Sequence, residues 1–509
     1  MTLARSHCVT LSGVVGHLVQ VEVDVAMGVP GFTLTGLPDT ALNEARDRVR
    51  AAVVNSGEAW PSRRVTVNLS PASLRKHGSG FDLALAATCL AAHERIPPDS
   101  LEEWVLLGEL GLDGRVRAVR GVLPAVLAAV QAGFTKVGVP TTNAAEAALV
   151  PAARVLGIAT LSDLLAHLRG TSVSEWVAPV PVEDAPVDGP DLRDVAGQLH
   201  ARQAIEIAAA GGHHLFLHGP PGAGKTLLAE RLPGLLPPLD LAAQLEVTAI
   251  HSVAGELPAD RPLITHPPFR APHHTSSAPA LVGGGSGIAR PGAVSLAHRG
   301  VLFLDEAPEF NRRSLDALRE PLENGALSLS RAGGTVTYPA RFQLVLAANP
   351  CPCGLASLGS VACTCSPFQR IRYLGRLSGP LLDRVDLRVP VQPVSRADLF
   401  AAGTAEPTAA VRERVLQARE RSSRRLTDTP WRANAEVPGP QLRRRFRPAD
   451  GALQPLAEQL NRRSLTARGV DRVLRVAWTV ADLAGVERPG PTEVAVALAL
   501  RGEVPAWAG

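Results

Sequence analysis

Short stretches in which apolar and polar residues alternate recur through the first 170 residues. Longer segments with apolar residues at helical spacing separate them. The alternation predicts strands at 9–11, 18–25, 31–35, 65–69, 106–110 and 136–140. Helical spacing predicts helices at 43–56, 82–93 and 122–132. Strands and helices mixed in this way predict an α+β domain over residues 1–170.

The pattern changes twice further along the chain. Residues 171–190 have no period and are rich in proline and acidic residues, which indicates a linker. A helix is then predicted at 191–210, followed by apolar strands at 213–218, 300–304 and 342–348, as in an α/β domain. After 396 the spacing is helical, with a long helix ending near 483. The sequence therefore predicts a linker at 171–190 and three domains, at 1–170, 191–395 and 396–509.

Composition narrows the possible partners. The net charge is only +4, so no overall basic field indicates nucleic acid, and such a contact must come from local patches. The arginine-rich run 443–447 is one such patch, although a charge run is more often a solvated face. We find no leader sequence and no apolar run long enough to span a membrane, so we expect a soluble, cytoplasmic protein.

One run of eight residues has a chemistry that can be named at once. It fits the G-x-x-x-x-G-K-[ST] phosphate loop between a strand and a helix, and it consists of Gly219, Pro220, Pro221, Gly222, Ala223, Gly224, Lys225 and Thr226. In such a loop the backbone N–H groups hold phosphate oxygens, the lysine reaches the outer phosphates and the threonine hydroxyl binds magnesium. The alternative is an ordinary glycine-rich turn. Because Lys225 is one of only three lysines in an arginine-rich chain, the loop favours ATP and Mg²⁺ as cofactors.

Two further predicted strands end in polar side chains. The apolar strand at 300–304 ends in Asp305 and Glu306, about 80 residues after the phosphate loop. One carboxylate must neutralise magnesium while the other accepts a proton, so we expect Asp305 to bind the metal and Glu306 to polarise the attacking water. Asn349 follows the strand at 342–348, where a polar side chain can sense the outer phosphate.

Four of the six cysteines lie close together in the sequence. Cys351, Cys353, Cys363 and Cys365 form two C-x-C pairs separated by nine residues. Four thiolates can hold a tetrahedral ion, and zinc suits them best. The spacing is tighter than the common C-x-x-C arrangement, so free or redox-sensing thiols stay as the alternative.

Other features allow two interpretations each. His273 and His274 suggest a metal site, but adjacent residues of a strand point apart, so we favour a structured loop. Arg331 and Arg341 flank a predicted hairpin that would face the pore of a ring-shaped ATPase and follow a phosphate backbone, although a plain surface hairpin fits equally well. Val195 can pack on an adenine ring or simply begin a helix.

The first domain resembles the proteolytic domain of Lon-type proteases. The resemblance is carried by residues 108–134. That family uses a serine nucleophile activated by a lysine, but here Gly80 stands at the serine position and Leu123 at the lysine position. Ser79 is then a turn residue, because a hydroxyl without a general base is a poor nucleophile. The resemblance implies a Lon-like fold without the catalytic dyad and without peptidase activity.

The whole chain resembles the ComM/YifB family of AAA+ ATPases, which is related to the ATPase subunit of magnesium chelatase. The resemblance is carried by the phosphate loop together with residues 303–306, 349–354 and 378–384. It implies a Lon-like first domain, a central AAA+ phosphate-loop ATPase domain of α/β type with a four-cysteine insertion, and a C-terminal helical lid.

The same resemblance assigns two arginines. It implies that Arg384 is the arginine finger, which reaches the nucleotide of the neighbouring subunit, with Arg376 as the alternative. It also implies that Arg468 touches the γ-phosphate from the lid, with Arg472 one turn further on as the alternative.

The function implied by the resemblance is that of a homohexameric ring which couples ATP hydrolysis to movement of DNA through its pore. This would be a branch-migration helicase for the recombination of incoming single-stranded DNA in natural transformation. The competing hypothesis is a chelatase-type ATPase that remodels a protein partner without nucleic acid. The Lon-like domain and the paired cysteines favour the first hypothesis, since the chelatase subunit resembles only the ATPase part.

Overall fold

The computed structural model describes residues 2–171, 176–178, 189–258, 261–285, 289–331, 334–356, 363–400, 405–462 and 465–501. Strands and helices are numbered along the chain. None of the helices in these ranges is long and apolar enough to cross a membrane.

The first part of the chain folds around a mixed sheet. Its strands are β1 (Thr2–Ser12), β2 (Val15–Ala26), β3 (Gly31–Thr35), β4 (Arg64–Ser70), β5 (Trp104–Leu106), β6 (Glu109–Leu110), β7 (Val116–Arg117), β8 (Lys136–Pro140) and β9 (Arg154–Ile158). Its helices are α1 (Thr40–Asn43), α2 (Ala45–Asn55), α3 (Asp82–Ala92), α4 (Val122–Gln131), α5 (Ala144–Ala147) and α6 (Leu161–Leu168). Seven strands form the order β3-β4-β2-β1-β5-β8-β9, while β6 and β7 form a separate hairpin. The predicted α+β architecture is confirmed.

Apolar and polar residues alternate along the strands of this sheet because helices cover one of its faces, and the apolar residues lie on that face. Every second residue of β2 is buried from Val19 to Val25, whereas the residues between them are partly exposed. Helix α3 is buried at every position, in agreement with its apolar composition on all sides. Strand β1 starts at Thr2 and is longer than predicted. It pairs with β2 residue by residue, although polar side chains such as Arg5 interrupt its alternation of apolar and polar residues.

The second part of the chain folds around a parallel sheet. Its strands, with two accompanying hairpins, are β10 (Leu215–His218), β11 (Phe269–Arg270), β12 (Gly283–Gly284), β13 (Arg290–Pro291), β14 (Val301–Leu304), β15 (Ala326–Arg331), β16 (Gly334–Pro339), β17 (Gln343–Ala348) and β18 (Leu387–Pro390). Its helices are α7 (Leu199–Gly211), α8 (Lys225–Leu235), α9 (Leu241–Ala254), α10 (Ala278–Val282), α11 (Ala293–Leu296), α12 (Arg312–Ala317), α13 (Arg319–Asn324), α14 (Pro367–Leu374) and α15 (Gly379–Leu382). Five parallel strands form the order β11-β14-β17-β10-β18.

The structure differs from the sequence analysis at two places in this part. The helix expected at 191–210 begins only at Leu199, because Gly197 and Gln198 both have left-handed backbone angles, with φ of 60° and 53°. The stretch 248–298, for which no strand was predicted, continues α9 to Ala254 and contributes β11 to the edge of the parallel sheet. A strand of two residues is too short to leave a period in the sequence.

The last part of the chain is helical, as predicted. It consists of α16 (Arg396–Phe400), α17 (Thr408–Leu426), α18 (Gly439–Arg443), α19 (Gln454–Asn461), α20 (Ala467–Ala484) and α21 (Pro491–Arg501). Val415 of α17 and Trp478 of α20 belong to the same apolar core as Leu228 of α8 and Leu217 of β10. This helical lid therefore shares a core with one face of the parallel sheet.

Helix α9 joins the first part of the chain to the second part. Ala249 of α9 is buried in the core of the first part. Ser252 of α9 donates a hydrogen bond through its hydroxyl to the buried carboxylate of Glu146, and its carbonyl accepts from the N–H of Gly121 at 3.2 Å. The domain limits predicted from the sequence stay predictions, and most of the predicted linker at 171–190 lies outside the described residues.

Candidate nucleotide site

The predicted phosphate loop lies between the end of β10 and the start of α8, so its backbone N–H groups stand at a helix N-terminus. Gly222 and Gly224 have left-handed backbone angles, with φ of 73° and 91°. A Cβ on Gly222 would meet no atom within 4 Å, so its left-handed backbone rather than crowding favours glycine there. At Gly219 a Cβ would lie 2.1 Å from the carbonyl oxygen of Val391, which explains why the loop starts with glycine.

Lys225 lies among oxygen acceptors in the loop and on the neighbouring strand. Its Nζ donates to the carbonyl oxygens of Gly219 and Pro220, both at 2.8 Å, and to Oδ1 of Asn349 at 3.0 Å. Burial lowers the pKa of Lys225, and the nearby charges of Asp305 and Glu306 oppose that shift. Phosphate oxygens could replace these acceptors when a nucleotide binds.

The side chains predicted to bind magnesium are in contact. The Thr226 hydroxyl donates to Oδ2 of Asp305 at 2.7 Å, and Oδ1 of Asp305 accepts from the N–H of Glu306 at 2.9 Å. A hydroxyl and a carboxylate at this spacing are hard oxygen ligands that suit Mg²⁺. When bound, the ion would neutralise charge on the outer phosphates.

Glu306 has an unusual backbone and a partner that the sequence did not suggest. Its φ of 49° and ψ of 43° lie in the left-handed region, which costs a non-glycine residue roughly 1–2 kcal/mol. Its Oε2 lies 3.1 Å from Nδ1 of His274. His274 reaches this position because β11 pairs with β14 and brings the following loop beside the end of β14.

The two candidates for the arginine finger lie in different places. Arg376 donates to the carbonyl oxygen of Pro308 at 3.0 Å and to Glu309 at 2.8 Å, so it lies beside the segment that carries Glu306. Arg384 forms an ion pair with Glu323 and donates to the carbonyl oxygen of Pro380.

Arg384 lines a cavity of about 870 Å³ at the amino-terminal edge of the parallel sheet. Arg468 and Arg472 line the same cavity, together with His214 before β10 and Gln343 at the start of β17. The phosphate loop follows the opposite end of β10, roughly 13 Å away at about 3.3 Å per residue. The structure therefore groups Arg468 with Arg384, and it places neither beside Lys225 of the same chain.

The two lid arginines differ in their contacts. Arg472 donates to Oδ1 of Asp386 at 2.5 Å, and Oδ2 of Asp386 lies 3.3 Å from Nδ1 of His213. Burial would raise the pKa of Asp386, but the Arg472 charge and the His213 hydrogen bond hold that pKa well below its ordinary value. Arg468 forms no ion pair within the described ranges. Arg472 is therefore a structural partner of Asp386, whereas Arg468 is free to meet a ligand.

The four cysteines are brought together. Their sulfur atoms all lie within 4.8 Å of one another. The separate distances are 3.3 Å for Cys351–Cys353, 3.7 Å for Cys351–Cys363 and 3.5 Å for Cys353–Cys363. Cys351 is buried and the other three are partly exposed. The cluster has the composition and the closeness of a tetrahedral metal site.

Other predicted positions have plainer surroundings. Val195 is buried in the core shared by the lid and the sheet. His273 stacks on His274 with ring centroids 4.2 Å apart, and its Nδ1 lies 2.8 Å from the Thr275 hydroxyl. The hairpin predicted at 331–340 is the end of the longer pair β15–β16, and its turn at 332–333 lies outside the described residues.

The positions of the Lon dyad are occupied by different contacts. The hydroxyl of Ser79 donates to Glu109, and Leu123 is buried with its N–H donating to Oε1 of Glu146 at 2.8 Å. The nearest lysine in sequence, Lys76, is buried and donates to the carbonyl oxygens of Leu69 and Pro71.

The parallel sheet, the phosphate loop and the acidic end of the adjacent strand define a phosphate-loop ATPase fold of the AAA+ class. Comparison with known families agrees. The model for magnesium chelatase, subunit ChlI, matches residues 191–399, a second model for subunit ChlI matches 21–143, and the model for the ChlI C-terminal part matches 405–501.

Relatives match over almost the whole chain. The uncharacterized protein Rv2897c of Mycobacterium tuberculosis is 56% identical over 98% of this chain and 99% of its own length. The competence protein ComM of Haemophilus influenzae is 42% identical over 99% of this chain and 98% of its own. The protein YifB of Salmonella typhimurium is 43% identical over 95% of this chain and 94% of its own. The chain belongs to the ComM/YifB branch of the magnesium chelatase ChlI family of AAA+ ATPases.

The resemblance of the first domain to Lon proteases is also found. A Lon protease of Salinispora arenicola is 27% identical over 165 residues, which is 30% of this chain and 21% of the protease. The match is partial, and it supports the Lon-like fold of this domain.

Proposed function

We propose that the chain is the subunit of a cytoplasmic, homohexameric ring that hydrolyses ATP to move DNA, acting as a branch-migration helicase on incoming single-stranded DNA. The observation that carries this proposal is the arrangement of the nucleotide site. Lys225, Thr226 and Asp305 converge at one edge of the sheet, while Arg384 lines a cavity at the other. The similarity to a relative named competence protein ComM supports a competence-related role.

The position of the arginines supports assembly into a ring. Transition-state charge on the γ-phosphate needs a cation besides the loop lysine. Arg384 and Arg468 lie together at the edge opposite Lys225, so a neighbouring subunit that presents this edge would complete the site. Hydrolysis in each subunit would then depend on assembly.

Within the site, the chain's own residues have separate tasks. The loop N–H groups and Lys225 bind the phosphates, Thr226 and Asp305 hold the metal ion, and Asn349 positions the outer phosphate. Glu306 accepts a proton from the attacking water once it leaves His274.

Two hairpins are suited to hold the DNA. Arg331 of β15 and Arg290 of β13 are both exposed. The β12–β13 and β15–β16 hairpins touch, since a Cβ on Gly284 would lie 3.3 Å from a guanidinium nitrogen of Arg331 and one on Gly283 would lie 2.8 Å from Leu329. Two adjacent hairpins with exposed arginines in a ring would present cations to a phosphate backbone.

The four-cysteine cluster is proposed to bind zinc. Four thiolates select zinc over magnesium, and a closed four-ligand set indicates a structural rather than a catalytic ion.

ATP turnover with and without forked or single-stranded DNA tests the proposal. We expect DNA to stimulate wild-type turnover, Lys225→Ala to lose nucleotide binding, and Glu306→Gln to bind ATP without hydrolysing it. The paired change Arg290→Ala with Arg331→Ala should reduce DNA stimulation and leave basal turnover intact. Arg115→Ala, a change at an exposed arginine of the Lon-like part, is the matched control.

Each result has a clear contrary outcome. Turnover that no DNA stimulates would favour the chelatase-type hypothesis, in which the ATPase remodels a protein. Normal turnover in Lys225→Ala or Glu306→Gln would contradict the assignment of the nucleotide site itself.

A further inference from the structure

The segment 349–354, which carries the first two of the four cysteines, lies directly against the phosphate loop. Cys351 follows the end of β17 and is separated by one residue from Asn349, which accepts a hydrogen bond from Lys225. The cysteines are thus continuous with the strand end that contacts the nucleotide-binding lysine.

A second contact joins the cysteine-bearing segment to the phosphate loop, between Gly354 and Pro221. Gly354 has a φ of 79°, and a Cβ there would lie 2.5 Å from Cγ and 2.7 Å from Cδ of Pro221. Its N–H donates to the carbonyl oxygen of Cys351 at 2.9 Å, which closes a tight turn over residues 351–354 that contains the first two cysteines. Only glycine lets the backbone approach Pro221 this closely, so the turn and the phosphate loop fit each other as a pair.

The sulfur positions fit a single tetrahedral ion. Zn–S bonds of about 2.3 Å at tetrahedral angles place the sulfur atoms about 3.8 Å apart. The distances of 3.3, 3.5 and 3.7 Å among Cys351, Cys353 and Cys363 are close to this value. Cys365 lies within 4.8 Å of all three. An ion would need only small adjustments to enter.

We propose that a zinc ion held by these four thiolates clamps the nucleotide site, fixing Pro221 through Gly354 and Asn349 through Cys351. The ion ties Cys363 and Cys365 to Cys351 and Cys353, and without it the turn at 351–354 regains conformational freedom. Both sides of the phosphate loop then lose their support. Zinc-free protein therefore binds nucleotide more weakly, although no cysteine touches the nucleotide. The clamp rests on the proposed function only because it acts on the nucleotide site that the proposed function also uses.

The first test measures the effect of zinc on nucleotide binding independently of ATP turnover. Full-length protein is stripped with a chelator under reducing conditions and reloaded with ZnCl₂, while zinc content, thermal unfolding and the Kd for a fluorescent ATP analogue are measured without DNA. We expect one zinc per chain, a Kd roughly tenfold higher after stripping, which is about 1.4 kcal/mol, and recovery on reloading. Cys363→Ser should behave like stripped protein and should not recover.

The second test leaves the thiolates intact. Gly354→Ala adds the Cβ that collides with Pro221, so we expect it to retain zinc and to bind the analogue more weakly. Gly133→Ala is the matched control, because Gly133 has a similar φ of 92° and a Cβ there would meet nothing within 4 Å. If Gly354→Ala fails to fold, the stripping experiment on the wild type decides alone.

Equal nucleotide affinity with and without zinc, or wild-type protein that contains no zinc and has free thiols, would overturn the clamp. These outcomes are distinct from failure of the motor proposal. Zinc-loaded protein that binds nucleotide but is not stimulated by DNA would contradict the motor alone. Zinc-loaded protein that binds no nucleotide would contradict both.

Discussion

Nδ1 of His274 lies 3.1 Å from Oε2 of Glu306, so the carboxylate expected to activate water is held by a side chain from the neighbouring edge strand's loop. The left-handed backbone of Glu306 shows that this position also costs conformational free energy. A carboxylate oxygen in contact with a histidine must leave that contact before it can accept a proton from water.

We therefore expect His274→Ala to raise basal ATP turnover. A contact of this kind between partly exposed groups is worth at most about 1 kcal/mol, so the rise would be at most roughly fivefold. His273→Ala is the control, since His273 stacks on His274 but contacts Thr275. Steady-state turnover without DNA measures the effect, and a fall in His274→Ala would instead mean that the histidine holds Glu306 in its productive position.

Arg384→Ala should act across subunits. Because Arg384 lines the edge opposite its own phosphate loop, its loss should impair the neighbour's site and leave nucleotide binding intact. Mixing the variant with wild-type chains should lower turnover more than in proportion to the wild-type fraction, and removal of one arginine finger costs roughly 10³-fold or more. Arg376→Ala is the matched comparison; full activity of Arg384→Ala alone would rule out the finger role.

Substitutions of the two lid arginines should have different effects, one on the free energy of unfolding and the other on ATP turnover. Arg472→Ala leaves the buried carboxylate of Asp386 without its cation, so we expect a loss of about 3 kcal/mol in the free energy of unfolding. Arg468→Ala should leave stability unchanged and reduce turnover. Urea unfolding and ATPase assays on both variants test this, and reversed behaviour would exchange the two roles.

Glu246 predicts an acid-sensitive contribution to stability. Its contact with His298, whose Nε2 lies 3.0 Å from Oε2, together with the charges of His298 and Arg299, lowers the pKa of Glu246 from its ordinary value of 4.5 to about 2. A carboxyl with a depressed folded pKa stabilises the fold above its unfolded pKa and loses that effect as pH falls through the folded value. Glu246→Gln should therefore destabilise at pH 7, and its difference from wild type in urea midpoint should shrink between pH 4.5 and 2. A pH-independent difference would mean that the carboxylate charge is not involved.

Much of the fold was predictable because it depends on short-range patterns. Alternation identified β2 and β4, and the long apolar faces identified α3 and α20. Strand β11 and the true start of α7 escaped prediction. The first has only two residues, and the second depends on left-handed angles at Gly197 and Gln198.

By itself, the sequence determined the phosphate loop, the acidic end of β14 and the four thiols, because each is encoded in contiguous or closely spaced residues whose chemistry does not depend on distant neighbours. Only the tertiary structure decided that His274 meets Glu306, that Gly354 packs on Pro221, and that Arg468 joins Arg384 rather than its own Lys225. These relationships arise from the order of parallel strands and the packing of the lid. Both bring together residues that lie far apart in the chain, and no local pattern records such contacts.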